Sequence, residues 1–411
     1  MFSVKADNNL LCVRKANVNT RSSCTLGGCI VAAAIILSTL KPVKCTLAAS
    51  PSAEEAEVLK QLAHSRAICT TAYTWAERQQ QIREGFLKGV RLWPLPDRAK
   101  VKAIVHSLRK YDGYSVENVA LETLPGFYCT GNLYRPLRQE ESGPAILCPH
   151  GHFIPLEPGT AGGRFREEHQ VRCAHLARMG ATVFSYSMVG WHDSQQHSHA
   201  DSFAVVLQTW NSLRAVDYVL ALPKVDSKRL GVTGASGGGT QTLHLTLAEP
   251  RVRASSPVVI VSPRAPEVGC HCERVWMMPR TNLIEMAAAI APRPQLLISV
   301  GTDPTRDFPT NGFPFVKHFY ELTGNADAAT NVHFPKEEHD FGPNKRKAVY
   351  EFFAKHLKMT LIAEDPSKIT IEKPNQMEVF NAKHPLPADA VQGNKAVAAA
   401  FDTLRRGDNK K

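Results

Sequence analysis

Between residues 145 and 334 the chain alternates short apolar runs with longer stretches of helical pattern. The runs are AILC (145–148), ATVFSY (181–186), RLGVTG (229–234), PVVIVS (257–262), QLLISV (295–300) and NVHF (331–334). Each is short and bounded by turn residues, the pattern of a strand buried on both faces. Helical patterns separate them, notably HQVRCAHLARMG before the second run and FAVVLQTWNSLRAVDYVLALP before the third. Strands joined by helices of that length need right-handed crossovers, so a mostly parallel sheet with helices on both faces is expected. Upstream, VALETL and FYCTGNLY flank Pro125-Gly126 and read as an antiparallel pair, which makes eight strands.

With 411 residues, 43% hydrophobic and 21% charged, the chain can bury a large core and is not of disordered composition. It carries no internal repeat. Residues 54–92 are rich in Ala, Glu, Gln and Leu and should be helical, ending near Trp93-Pro94-Leu95-Pro96. The expected organisation is a leader at 1–50, a helical extension at 51–110, the sheet domain at 111–360, and a C-terminal extension at 361–411 with a basic tail.

In the leader, Lys5, Arg14, Lys15 and Arg21 precede an apolar run, Leu26 to Leu40, which gives way to Ala48-Ala49-Ser50. That order is the pattern of a secretory signal, and the run is shorter than the about 20 apolar residues of a membrane span. An uncleaved anchor is the alternative. The leader supplies +5 of the net charge of +11, and the tail adds Arg405, Arg406, Lys410 and Lys411. Without a basic patch interleaved with aromatics, nucleic acid is not an expected partner.

Six cysteines follow the leader: Cys69, Cys129, Cys148, Cys173, Cys270 and Cys272. Export would permit disulfides, whose pairing the sequence does not define. Cys148, inside an apolar run, reads as a small buried hydrophobe. Cys270-His271-Cys272 lacks a second ligand pair at zinc-like spacing, so no metal and no cofactor are expected.

The third run leads into RLGVTGASGGGTQT (229–242), which fits two templates. One is a glycine loop that cradles a dinucleotide; the other is G-x-S-x-G, the strand-to-helix elbow that holds a serine nucleophile. A dinucleotide loop follows the first strand of its sheet, whereas Ser236 follows about the fifth. It would also need glycine at Thr240 and a Tyr-x-x-x-Lys pair, which the chain lacks. The elbow requires an acid and then a histidine after later strands. QLLISV runs into Asp303, and NVHF leads to His339, so order and placement match a Ser236, Asp303, His339 triad on an α/β-hydrolase fold. Asp307 is the rival for the acid. A serine hydroxyl needs a neutral imidazole to take its proton, and the imidazole needs a carboxylate to fix its tautomer.

The developing oxyanion requires two N–H donors. Gly237 is one candidate, and His152 or Phe153 of Pro149-His150-Gly151-His152-Phe153 is the other. His150, Gly151, Trp191 and His192 are substrate-side candidates. The wider group Trp191, His192, Asp193, His197, His199 and Asp201 reads as a polar loop at the same sheet edge.

Further motifs are KYDGYSVENVALETLPGFYCTGNLYRP (110–136), TWNSLRAVDYVLALPKVDSKRLGVTGASGGGTQT (209–242), GCHCE (269–273), AAAIAPRPQLLISVGTDPT (287–305) and EHDFGPNKRKAVYEFFAKHL (338–357). With PHGHF (149–153) they make the chain resemble, from about Glu77 to Leu386, the bacterial acetylxylan esterase-like α/β-hydrolases and related carbohydrate and cephalosporin deacetylases. The resemblance implies Ser236 as nucleophile, Asp303 as acid and His339 as base, and acetylated carbohydrate as substrate. Two departures, Pro304 in place of the family's tryptophan and His339-Asp340-Phe341-Gly342 in place of His-Asn-Tyr-Asn, flank the triad and bear on substrate preference. The expectation is a secreted or periplasmic serine esterase, with no membrane partner unless the leader is retained. A peptidase of this fold would bring a propeller or lid domain; a binding protein on the same scaffold would lack a triad member, and none is missing.

Overall fold

In chain order the strands are β1 (Lys102–Lys110), β2 (Tyr114–Leu124), β3 (Phe127–Pro136), β4 (Gly143–Leu147), β5 (Thr182–Tyr186), β6 (Val225–Ala235), β7 (Val252–Val258), β8 (Gln295–Val300) and β9 (Ala329–Phe334). They form one sheet in the order β1-β2-β3-β5-β4-β6-β7-β8-β9. Strands β1, β2, β3 and β5 pair antiparallel, and β5 through β9 run parallel. This is the expected α/β-hydrolase fold with a ninth strand. The computed structural model describes residues 52–138, 141–153, 162–263 and 270–407, so the leader, Lys410 and Lys411 lie outside the described residues.

The added strand is β1, KAIVHSLRK, which lies inside the expected helical extension. It is exposed along most of its length, so it has no apolar face to read, and lysines at both ends suit a sheet edge. A second difference lies in β7. The strand is VRASSPV, whereas the apolar run PVVIVS begins where the strand ends. Ala254, Ser255 and Ser256 are buried despite their small or polar side chains, because both faces of a central parallel strand are covered.

The helices are α1 (Ala53–Ile68), α2 (Ala72–Gly89), α3 (Glu167–Arg178), α4 (Ala204–Leu220), α5 (Gly237–Ala248), α6 (Leu283–Ala288), α7 (Phe308–Asn311), α8 (Phe313–Leu322), α9 (Pro343–His356), α10 (Pro374–Met377) and α11 (Asn394–Arg406). Alternation along the strands divides the core into two layers. Ala145, Leu147, Phe184 and Leu297 join α1, α2, α4, α5, α6 and α8. Ile146, Val183, Leu296 and Ile298 join α3 and α9 on the other face.

The expected helical stretch at 54–92 is two helices. Ser52 and Glu55 cap the first, and Thr71 opens the second. Both dock on α6 through buried Glu285, which accepts from Ser65 at 2.7 Å and from Arg78 at 2.8 and 2.7 Å. The C-terminal segment packs along the antiparallel strands: Glu372 pairs with Arg109 at 2.7 Å, and Asn118 donates to the carbonyls of Gln376 and Glu378. No helix among the described residues is long and apolar enough to cross a membrane.

Candidate active site

Strand β6 ends at Ala235, and α5 begins at Gly237. Between them Ser236 sits at φ 56°, ψ −125°, a backbone state that costs a non-glycine residue about 1–3 kcal/mol. The flanking glycines are required by crowding. A Cβ at Gly234 would lie 2.5 Å from the Pro149 carbonyl oxygen, and one at Gly238 would meet the same atom. Ser236 N–H donates to the Val258 carbonyl at 3.0 Å, which ties the turn to β7.

Asp303 lies three residues past β8, and His339 five past β9. The loops carrying them meet where Gly301 N–H donates to the Phe334 carbonyl at 3.1 Å and the Thr302 hydroxyl to that of Glu337 at 2.7 Å. His339 Nδ1 stands 2.6 Å from Asp303 Oδ2. The other Asp303 oxygen accepts from the Thr305 N–H and hydroxyl, both at 2.6 Å. Burial alone would push this carboxyl up, but the hydrogen bonds from His339 and Thr305 outweigh it and hold it below the usual carboxylate range. Asp307, the rival acid, is exposed and pairs with Arg306 at 3.3 Å.

The 149–153 loop runs between these parts. A Cβ on Gly237 would touch His152 Nδ1 at 2.5 Å, and the Phe153 ring lies 6.0 Å from that of His339. Among the described residues, none accepts the N–H of Gly237, His152 or Phe153. Nor does a hydrogen bond join Ser236 Oγ to His339, a link that is often long until substrate is bound.

The substrate-side candidates divide. His150 is 1% exposed, accepts from Met188 N–H at 2.9 Å and has its other ring nitrogen 2.9 Å from the Gly151 carbonyl, so it props the loop from within. Burial, aided by His192, pulls it well below the ordinary imidazole range. Gly151 is buried against the end of β6. His192, pulled down to about 4 by burial and Arg164, faces the Gly162 carbonyl at 3.0 Å. Trp191 is half-buried among His150, His152 and His199. Asp193 accepts from Thr130 and Arg164, and Asp201 from Phe203 N–H, so both are structural. His197 is buried.

Three features were not anticipated from the sequence. Arg164, fully buried, joins Asn132, Ser187, Asp193 and the Met377 carbonyl. Glu273, buried beside α5, accepts from the Thr240 hydroxyl at 2.8 Å; burial pushes its carboxyl up. Third, Cys270 and Cys272, which have no second pair at zinc-like spacing in the sequence, lie beside His152 and His199, with one side-chain donor atom of each within 4.8 Å of the others. These residues sit on loops after three different strands, so no local spacing reveals the cluster. The six cysteines among the described residues are free thiols.

No protein-family model and no curated protein matches the chain. Among solved structures, it is similar to methylesterase BT1017, with 38% identity, a TM-score of 0.77, and coverage of 86% of this chain and 81% of that one. A Bacteroides fragilis protein assigned as an acetyl xylan esterase shares the fold at 15% identity and a TM-score of 0.53, over 66% of this chain and 78% of its own. A glucuronoyl esterase from Teredinibacter turnerae shares it at 12% identity and a TM-score of 0.53, over 69% and 85%.

Proposed function

The chain belongs to the acetylxylan esterase-like α/β-hydrolase family, a family of carboxylic ester hydrolases, and from that premise we propose that it cleaves carbohydrate esters through an acyl-enzyme on Ser236. The observation that carries the reading is the 2.6 Å bond between His339 and Asp303, on loops beside an elbow that presents Ser236. Ser236 Oγ attacks the acyl carbon while its proton passes to His339 Nε2. The oxyanion takes hydrogen bonds from the N–H of Gly237 and of His152 or Phe153. The bond to the leaving oxygen then breaks, and that oxygen takes the proton from His339. Water, activated by the same imidazole, releases the acid and restores Ser236. Throughout, Asp303 holds Nδ1–H and offsets the positive charge on the ring.

The family resemblance points to acetyl esters. The 38% identity to a methylesterase favours a second reading, a methyl ester of a carbohydrate carboxylate, in which methanol leaves and the sugar acid forms the acyl-enzyme. The basic and then apolar order of residues 1–50 supports export.

The test compares acetate release from acetylated xylan with methanol release from methyl-esterified uronate oligosaccharides. The expected result is turnover of one class by the wild-type chain and a loss of at least about 10⁴-fold in Ser236→Ala. Equal rates in the two forms would remove Ser236 from the mechanism.

A further inference from the structure

Beside the elbow, four side chains that ester cleavage leaves unused face one point. His152 follows β4, His199 follows β5, and Cys270 and Cys272 follow β7, so three loops at the same sheet edge supply them. His152 Nε2 lies 2.9 Å from His199 Nε2 and 3.0 Å from Cys272 Sγ, and His199 Nε2 lies 3.4 Å from Cys270 Sγ. We infer that His152, His199, Cys270 and Cys272 form a four-ligand site for a structural Zn²⁺ ion.

Three observations carry this. The first is size. A tetrahedral zinc with two sulfur and two nitrogen ligands has N–N, N–S and S–S edges of about 3.3, 3.6 and 3.8 Å. The N–N separation of 2.9 Å and the N–S separations of 3.0 and 3.4 Å are each somewhat shorter than the matching edge, and all four atoms lie within 4.8 Å of one another, so small outward side-chain shifts admit the ion. The second is tautomer. His199 Nδ1 lies 2.7 Å from the Val189 carbonyl, which can only accept; the proton therefore sits on Nδ1 and the Nε2 lone pair faces the cluster. The third is support. Cys270 N–H donates to Glu273 at 3.2 Å, Gln208 donates to the Cys272 carbonyl at 3.1 Å, and Glu273 is anchored to α5 through Thr240. The thiol-bearing loop is thus held in place by groups that are not themselves ligands.

The charges balance. Two thiols release two protons as Zn²⁺ binds, and two thiolates with two neutral imidazoles leave a site of zero net charge in a half-buried setting. Two thiolates and two imidazoles in a tetrahedron suit zinc among the common divalent ions. Four protein ligands leave no open position for substrate, so the ion acts as a clamp. It fixes His152, and with it the N–H groups beside Gly237; only that consequence rests on the proposed esterase mechanism.

The experiment uses the full chain without a polyhistidine tag, dialysed against Zn²⁺ and then freed of excess. Mass spectrometry should find about one zinc per chain. Exchange with Co²⁺ should give tetrahedral ligand-field bands and a thiolate-to-cobalt charge-transfer band. The double change Cys270→Ser, Cys272→Ser should lower zinc content at least about tenfold. His271→Ala, at the exposed residue between the thiols, should leave it unchanged. If the double variant does not fold, titration of the wild-type thiols with p-hydroxymercuribenzoate decides: zinc released in step supports the site, and modification without release overturns it. Wild-type protein far below one zinc per chain, a Cys270–Cys272 disulfide, no charge-transfer band, or a double variant with full zinc content each overturns it as well. Ser236→Ala should keep its zinc, so loss of this inference and loss of the esterase mechanism are distinguishable.

Discussion

Glu249 caps the C-terminal end of α5 at 1% exposure, where it accepts from Arg251 at 2.9 and 2.7 Å and from Arg98 at 2.8 Å. Burial alone would push its carboxyl up; the guanidinium hydrogen bonds reverse that and pull it down to about 2. A depressed folded value means stability that is present above the unfolded value of about 4.3 and is lost as pH falls through about 2. Glu249→Gln should therefore cost on the order of 3 kcal/mol at neutral pH and progressively less below about pH 4, read from urea midpoints across that range. An equal cost at every pH would mean that packing, not ionisation, accounts for the loss. The placement of Ser236, Asp303 and His339 after β6, β8 and β9 was legible, because each lies within five residues of the end of its own apolar run. The burial of His150 was not, since a histidine beside an elbow reads the same whether it faces solvent or Met188.

Helices α1 and α2 depend on one carboxylate of α6. Replacing Glu285 by Ala removes the partner of Arg78 and Ser65 in a buried setting, and breaking such a pair costs about 3–5 kcal/mol. The expected outcome is a lowered urea midpoint with early proteolytic cleavage between residues 69 and 101; an unchanged midpoint would show that apolar packing of Trp75, Ile82 and Phe86 suffices without the ion pair. Periodicity made α3, α4 and the parallel strands readable. It failed at β1, whose residues meet water on most sides and are held by pairing with β2. It also displaced β7, because a central strand can hide Ser255 and Ser256 as readily as valine.

Across the molecule, the segment after residue 360 is built into the core and edge of the sheet. It contributes Met377, Val379, Val397 and Phe401, all fully buried, and Glu372 for Arg109. A chain ending at residue 360 should lose cooperative melting and bind a hydrophobic dye; a truncated form that melts as sharply as the full chain would contradict that dependence. Strand patterns and the glycine-flanked elbow are carried by neighbours a few residues apart, so the amino-acid sequence alone specified the hydrolase sheet and the sharp turn that holds Ser236. The meeting of His152 with Cys272, 120 residues later, depends on which strands lie side by side. Strand adjacency is settled by the packing of whole layers, and no short-range pattern encodes it.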